Sequence, residues 1–181
     1  MYPAIKRFLR YLDVERDVSA HTVKGYREDL ESLADYLADD RGEPPGPDQI
    51  SPLNLRQYVS DLHAAGYARS SISRRLASLR SFFRFAQREG TVDSNPAKPL
   101  RNPRKQRSLP HFMTSEEVER LLLSPNASGK MGSRDLAILE TMYSTGVRVS
   151  ELVGLNVEDL QLEEGVARIR GKGKRERFAP L

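Results

Sequence analysis

The stretch that decides the fold is ARSSISRRLASLRSFFRFAQR, residues 68–88. Its apolar side chains recur at helical spacing and form one stripe, whereas four arginines fall on the opposite side when 100° per residue is counted. The stripe consists of Ile72, Leu76, Leu79, Phe83 and Ala86, and the arginines are Arg74, Arg80, Arg84 and Arg88. This pattern predicts an amphipathic helix with one buried face and one cationic face.

Three shorter amphipathic patterns precede this helix. The first covers about residues 5–12, and the second opens at Ser19, a good N-cap residue, and continues to Gly42. The third begins near Pro52, after a proline-rich loop. Four short helices that share an apolar seam predict an all-α bundle, which we assign to residues 1–90.

Positive charge is concentrated in two blocks of the chain. The 181 residues carry a formal net charge of +4, but residues 66–107 hold 11 basic and 2 acidic residues, and residues 166–181 hold 6 basic and 1 acidic. Two basic blocks in acidic surroundings predict contact with a polyanion. Arginine-rich helices are also often only solvated surfaces, so the charge by itself leaves that simpler interpretation open.

Composition excludes several classes of protein. The chain has no Cys, which excludes disulfide scaffolds and thiolate metal sites, and its three His are scattered, so we expect no metal site. No run reaches the roughly 18 apolar residues that a membrane span needs, and the charged N-terminus is unlike a secretory signal. We therefore expect a cytoplasmic protein with no membrane partner.

Residues 91–110 interrupt the helical pattern. They contain four prolines and several basic residues but little apolar content, which is typical of an extended linker. We place a basic linker at residues 91–108 and a second domain at residues 109–181.

The second domain begins with helices. Thr114 and Glu117 form a capping box ahead of an apolar run. A further helix over about residues 134–144 stops at Gly146, a suitable residue after a helix end, and a short helix follows at about residues 149–155.

The segment TGVRVSEL, residues 145–152, places Arg148 directly after a helix end and a glycine. An arginine that is held by a tight turn can clamp two oxygens of a phosphate in a bidentate contact. Glu151 lies three residues on, so it would share a helix face with Arg148 and could orient the guanidinium. An Arg and a Glu at this spacing are also often a plain surface pair.

The domain ends with a hairpin pattern. The alternation of residues 166–170, the turn Gly171-Lys172-Gly173-Lys174-Arg175 and the return through residues 177–180 predict two antiparallel strands. The turn could present a mobile cation where the backbone approaches a phosphate closely, either in non-specific contact or as a proton donor. Hairpin tips are also commonly basic for solubility, so the turn alone does not decide its role.

Considered together, the bundle, the basic linker, the TGVRVSEL segment and the Gly-Lys-Gly hairpin resemble the tyrosine recombinase (phage integrase) family, specifically its Xer subgroup. The resemblance covers the whole chain and lies in the combination of these features. Within it, Ser94-Asn95-Pro96-Ala97 followed by Leu109-Pro110 resembles the Xer passage from the core-binding to the catalytic domain, and Gly171-Lys172-Gly173 followed by Arg175-Glu176-Arg177 resembles the Xer β2–β3 hairpin. It implies a mainly α fold, in which a four-helix SAM-like core-binding bundle is followed by the start of an α+β catalytic domain.

The resemblance implies site-specific DNA strand exchange through a 3′-phosphotyrosyl intermediate, without metal, cofactor or small-molecule substrate. Arg148 matches the first catalytic arginine, which stabilises the charge that develops on the phosphate oxygens, and Glu151 matches the acidic residue that supports it. Lys172 matches the lysine that protonates the leaving 5′ oxygen. Lys174 stands where the family pattern has Asn and is the alternative acid; we prefer Lys172 because it keeps both flanking glycines.

The same resemblance implies double-stranded DNA as the partner, and family members act as tetramers with a sister recombinase. We expect mostly phosphate contacts, which give affinity more than sequence choice. We assign them to Arg74, Arg75, Arg80, Arg84, Lys105, Lys174 and Arg175. The Xer-like linker favours a role in chromosome-dimer resolution.

One part of the family pattern is missing from these 181 residues. No His-x-x-Arg segment and no late nucleophilic Tyr follow the hairpin, and the seven Tyr of the chain lie elsewhere. We therefore expect the N-terminal part of a recombinase, which binds DNA but cannot cleave it. Two other interpretations stay open: a non-catalytic DNA-binding regulator or recombination accessory factor, and a helical scaffold with basic loops for acidic protein partners.

Overall fold

A computed structural model describes residues 1–104, 112–126, 129, 131–171 and 175–181 of the chain. The chain divides into two compact units, Met1–Ser108 and Leu109–Leu181. Helices predominate, and a small antiparallel sheet lies in the second unit, which confirms the expected mainly α fold. No helix in the described ranges is long and apolar enough to cross a bilayer.

Four helices build the first unit. They are α1 (Tyr2–Val14), α2 (Ala20–Tyr36), α3 (Pro52–Ala64) and α4 (Arg69–Arg88). The predicted N-cap is confirmed, because Ser19 Oγ accepts the N–H of Thr22 at the start of α2. The predicted end of this helix at Gly42 is wrong: α2 stops at Tyr36, since Asp39 Oδ1 accepts two backbone N–H groups of the following turn and replaces the helical bonding there.

Helix α4 is the centre of the bundle. The predicted apolar stripe is buried, and Phe82, Phe85 and Ser78 are buried beside it, so the buried face is wider than the sequence pattern suggested. Phe8 of α1 packs against Phe82 and Phe85 with ring centroids 5.6 Å and 5.4 Å away. Each fully buried ring contributes roughly 2–3 kcal/mol of hydrophobic stabilisation, which makes these aromatic contacts a main source of cohesion.

The segment that follows α4 packs against the bundle over residues 92–100, although its composition is that of a linker. Its apolar side chains Val92, Ala97 and Leu100 are buried in the bundle core. Asn95 Nδ2 donates to the main-chain oxygen of Arg80 at 3.0 Å, and Arg80 Nη2 donates to the main-chain oxygen of Leu100 at 2.6 Å. Prolines prevent a helix here but leave the few apolar side chains free to pack.

The second unit combines three helices with a three-stranded sheet. The elements are α5 (Ser115–Leu122), α6 (Gly132–Thr145), α7 (Val149–Val153), β1 (Leu160–Gln161), β2 (Val166–Arg170) and β3 (Glu176–Pro180), and the strands are antiparallel in the order β1-β2-β3. The capping box is confirmed by reciprocal bonds between Thr114 and Glu117 of 2.8 Å and 3.3 Å. Gly146, with φ +59°, adopts the left-handed conformation at the end of α6 as predicted.

The hydrophobic core of the second unit is small. Its buried apolar members among the described residues are Val147, Ala167, Ile169 and Ala179. Ala167 pairs with Ala179 and Ile169 pairs with Arg177 across the β2–β3 hairpin, so these four residues share the inner face of the sheet. By the alternation of side chains along β3, Arg177 therefore lies at an inward-facing position next to the core.

Candidate functional site

Arg148 lies on the surface of the second unit, at the junction between α6 and α7. Gly146 ends the first helix, Val147 is buried in the small core, and Arg148 is the N-cap residue of α7 with extended backbone angles. Its side chain is 74% exposed. The buried Val147 thus anchors a turn that directs the guanidinium towards solvent.

Glu151 holds Arg148 at two points. Its Oε2 accepts the backbone N–H of Arg148 at 3.0 Å, and its Oε1 accepts Nη1 of the same residue at 2.8 Å. The Glu151 side chain is only 5% exposed. The structure therefore brings together the two residues that the sequence analysis assigned to one site, and their contact is partly buried.

A third residue, Arg177, completes the cluster, and the sequence analysis gave it no role. Its Nη1 and Nη2 donate to Oε1 and Oε2 of Glu151 at 3.2 Å and 2.9 Å, which is a bidentate pairing. The signal in the sequence that could have revealed this pairing is a cation at an inward-facing position of a strand. Its partner, 26 residues away along the chain, could not be identified from that signal.

The cluster keeps its carboxylate ionised. The bond from Arg177 is the largest cause that lowers the pKa of Glu151 from 4.5 to about 2, followed by the backbone N–H of Arg148, while burial opposes the shift. The same pairing raises the pKa of Arg177. Two guanidinium groups and one carboxylate leave a surplus positive charge, and Arg148 is the more exposed cation, so the cluster is suited to bind an anion such as a phosphate.

The base of the hairpin turn lies beside this cluster. Gly171 N–H donates to the main-chain oxygen of Arg175 at 2.6 Å, and a Cβ on Gly171 would lie 3.6 Å from Glu151 Oε1 and 3.7 Å from Arg177 Nη1. Arg175 is exposed. The predicted acid Lys172 and its alternative Lys174 lie outside the described residues, and so does Lys105 of the basic linker.

A second buried acid neutralises part of the charge of β2. Asp159 is 1% exposed and its Oδ1 accepts bonds from Arg168 at 2.9 Å and from Arg170 at 2.7 Å. The backbone N–H of Asn156 is the main cause that lowers the pKa of this carboxyl, and the two arginines add to it. These arginines are thus not free cations, although the charge count places them in a basic block.

In the first unit, the predicted DNA-contacting residues Arg74 and Arg75 share a buried acid. Arg74 Nη1 donates to Oδ2 of Asp29 at 2.6 Å, and Arg75 Nε lies 3.9 Å from Oδ1 of the same carboxylate. Arg75 Nη1 also donates to the hydroxyls of Ser32 and Tyr58 at 2.8 Å and 2.9 Å. The Arg75 side chain is 14% exposed, so its donors bond groups in the interior of the bundle. The Arg74 side chain is 53% exposed and keeps donors directed towards solvent.

Arg80 and Arg84 differ in the same way. Arg80 is half-buried and donates to Leu100 O and to Asn102 Oδ1, the latter at 2.9 Å. The predicted position of Arg80 on the side opposite the apolar stripe is wrong: at 100° per residue it lies only about 80° from the centre of the stripe, so its side chain reaches the segment that packs on α4. Arg84 lies farther round and is exposed.

Arg84 lines a groove of about 310 Å³ between α1, α2 and α4. We call it the basic groove, because Arg16 and Arg88 also line it, together with the hydroxyl residues Thr22 and Ser81. Guanidinium and hydroxyl donors of this kind contact phosphate oxygens in protein–DNA complexes. No group of three or more His, Asp or Glu side chains that could hold a metal occurs among the residues the structure describes.

Two family profiles match the two units. The profile described as the N-terminal SAM-like domain of phage integrase matches residues 5–90, and the profile of the phage integrase family matches residues 111–181.

Curated relatives extend this similarity over the whole chain. The chain is 37% identical over 177 residues to the tyrosine recombinase XerC of Thermodesulfovibrio yellowstonii, and 39% identical over 184 residues to that of Pelotomaculum thermopropionicum. The alignments cover 98% and 100% of this chain but only 57% and 60% of the two relatives. The chain thus spans somewhat more than half of their length.

Solved structures share the fold. A lambda integrase dimer bound to a core site matches with a TM-score of 0.78 and 16% identity, over 99% of this chain and 59% of that one. A lambda integrase tetramer bound to a Holliday junction matches with a TM-score of 0.76 and 20% identity, over 99% and 50%. This likeness shows the fold. The two profiles and the XerC relatives show that the chain belongs to the phage integrase family of tyrosine recombinases.

Proposed function

We propose that this chain takes part in site-specific DNA strand exchange, as the DNA-binding and phosphate-orienting part of a tyrosine recombinase. The observation that carries the proposal is the Arg148 cluster: an exposed guanidinium is held by a buried carboxylate directly after a helix end. A strand-exchange site needs a cation that is already oriented when negative charge develops on the scissile phosphate.

In the proposed chemistry, Arg148 binds the non-bridging oxygens of the scissile phosphate. Nη1 and the backbone N–H face Glu151, which leaves the other guanidinium donors for those oxygens. A tyrosine oxygen bonds to the phosphorus as the bond from phosphorus to the 5′ oxygen breaks, which gives a 3′-phosphotyrosyl bond. Lys172 gives its proton to the leaving 5′ oxygen, and the proton of the tyrosine hydroxyl passes to solvent or to a base outside residues 1–181. The number of phosphoester bonds stays constant, so no external energy source is needed.

We propose that residues 1–181 alone bind duplex DNA but do not cleave it. The sequence holds no His-x-x-Arg segment, and Tyr58 is buried within the bundle. Tyr143, the one Tyr close to Arg148 in sequence, lies on α6 with an exposed side chain and is not among the residues that bond the Glu151 carboxylate. The nucleophile of the reaction would then come from residues beyond this sequence or from another chain.

The proposed DNA contacts lie on both units. In the bundle they fall on Arg74, Arg80 and Arg84, and on the basic groove, with Arg75 acting indirectly through Asp29 and the hydroxyls that it bonds. In the second unit they fall on Arg175 and the lysines of the hairpin turn. Contacts of this type neutralise phosphates, so we expect binding to any duplex and a steep dependence on salt.

The XerC names of the curated relatives support a more specific role. We propose that the complete recombinase resolves chromosome dimers in the cytoplasm, as a tetramer with a sister recombinase. The lambda integrase complexes, a dimer on a core site and a tetramer on a Holliday junction, support duplex DNA and assembly on it for a chain of this fold.

The test uses the 181-residue chain with a labelled duplex and a nicked duplex. We expect the chain to bind the duplex, and Arg148→Gln to weaken binding and reduce the slope of log K against log salt by about 0.9. The matched control is Arg120→Gln, an exposed arginine of α5. Equal effects of the two substitutions would refute the role of Arg148, and a covalent adduct on the nicked duplex would refute the proposed inability to cleave.

A further inference from the structure

We propose that Arg177 is a positioning residue for the phosphate-binding site: it holds the Glu151 carboxylate so that the Arg148 guanidinium stays oriented, and it ties strand β3 to the start of α7. This inference rests on the proposed function of Arg148. It assigns a role to a residue that the sequence analysis left without one.

The bonds to the Glu151 carboxylate are divided evenly between Arg148 and Arg177. Oε1 accepts Nη1 of Arg148 and Nη1 of Arg177, and Oε2 accepts the backbone N–H of Arg148 and Nη2 of Arg177. Each oxygen thus receives one bond from each residue. The fork of Arg177 fixes the plane of the carboxylate, and that plane in turn fixes the direction of the Arg148 guanidinium.

Arg177 also determines the net charge of the cluster that it forms with Arg148 and Glu151. A lone pair of Arg148 and Glu151 would be neutral, and a neutral pair offers a phosphate little attraction. Arg177 adds one positive charge to the pair and shares the negative charge of Glu151, so a net positive charge remains. Because the Arg148 side chain is 74% exposed and the Arg177 side chain 41%, an incoming phosphate meets that charge mainly at Arg148.

Arg177 also connects the hairpin to helix α7. Arg177 lies on β3, opposite Ile169 on the inner face of the sheet, and a Cβ placed on Gly171 at the base of the turn would be in van der Waals contact with Glu151 and Arg177. The pairing between Arg177 and Glu151 therefore joins the strand that follows the turn to the helix that starts at Arg148. Loss of the pairing would loosen the position of Arg148 relative to Gly171 and Arg175 at the base of the turn.

The same hairpin offers a matched control. Arg168 on β2 donates two bonds to Asp159, a carboxylate as buried as Glu151, and its side chain is 38% exposed. Arg168 and Arg177 thus have equal charge, similar exposure and similar partners. They differ in the acid they hold, since the carboxylate of Asp159 bonds Arg170 and not Arg148.

The experiment measures duplex affinity for the 181-residue chain with Arg177→Gln, Arg148→Gln, the double variant and Arg168→Gln. We expect Arg177→Gln to lose about as much affinity as Arg148→Gln, and the double variant to lose less than about twofold more, because both changes disable one unit. Arg168→Gln should lose clearly less and combine additively with Arg148→Gln. Arg177→Lys should recover part of the loss, because it keeps the charge but not the fork.

A second readout needs no DNA. In an NMR titration of the Glu151 carboxyl, Arg177→Gln should raise its pKa by about 1 to 3 and broaden or shift the Arg148 Nε–H resonance, whereas Arg168→Gln should change neither. An unchanged titration, or an Arg177→Gln affinity equal to that of Arg168→Gln, would overturn the inference. If instead Arg148→Gln itself does not weaken binding, the proposed function has failed, which is a separate result. Should Arg177→Gln unfold the hairpin, the partial recovery in Arg177→Lys remains the deciding comparison.

Discussion

Arg74 on the outer side of α4 donates a 2.6 Å hydrogen bond to Asp29 on α2, whose side chain is completely buried. Ser78 Oγ donates to the same oxygen at 2.7 Å. Burial of a carboxylate is costly unless it is paired and hydrogen-bonded. An arginine that sequence analysis places on a DNA-binding face is thus also part of the connection between two helices.

We predict that Asp29→Ala lowers the free energy of unfolding of the first unit by about 3 kcal/mol. The substitution leaves the mostly buried Arg75 without its nearby negative charge and removes the acceptor of Arg74 and Ser78. Urea denaturation of both proteins measures the difference. The control is Glu28→Gln, an exposed neighbour whose change should stay within about 0.5 kcal/mol, and equal losses would contradict the prediction.

We predict that Arg84→Ala weakens binding to duplexes of any sequence and reduces the slope of log K against log salt by about 0.9. Arg84 is exposed in the basic groove, so its loss should leave the unfolding free energy nearly unchanged. Arg80→Ala should in addition destabilise the bundle by about 1 kcal/mol, because it removes the bond to Leu100 O. Anisotropy titrations at several salt concentrations test this, with Arg41→Ala in the loop after α2 as the control; an unaltered slope for Arg84→Ala would remove the groove from the interface.

We predict that Glu151→Gln flattens the acid dependence of stability in the second unit. The pKa of Glu151 is lowered from 4.5 to about 2 in the folded chain. A depressed folded pKa means that the ionised carboxylate stabilises the fold above pH about 4.5 and that this contribution is lost as the pH falls towards about 2. Urea titrations followed by NMR at pH 6 and pH 3 should therefore differ less for Glu151→Gln than for the unchanged chain, and Glu119→Gln on the surface of α5 should behave like the unchanged chain.

We predict that backbone amides of α4 exchange with solvent at least about tenfold more slowly than those of β2. Helix α4 contributes seven buried apolar residues to the bundle core, whereas the second core among the described residues holds four small or medium apolar side chains. Local opening is easier where less apolar surface is buried. Hydrogen exchange followed by NMR measures both sets in one sample, and equal protection factors would show that the two units have the same stability.

The helix ends and the hairpin of this chain could be predicted because each depends on residues that are close together in the sequence. Ser19 and Thr114 as helix caps, Gly146 at a helix end and the β2–β3 hairpin each follow from residues within a few positions of one another. The Arg148 and Glu151 contact belongs to the same class, since residues three apart at a helix start face each other. The two basic blocks are likewise visible in the order of the residues.

The contacts that decide what each arginine does depended on tertiary structure. Arg177 reaches Glu151 across 26 residues, and Arg74 reaches Asp29 across 45. In the sequence every arginine counts equally, as one positive charge, because charge is a property of the single residue. The partner of each arginine is decided only on folding, when particular faces of helices and strands meet. Only the fold could therefore separate the exposed Arg84 from Arg75, which is committed to the interior of the bundle.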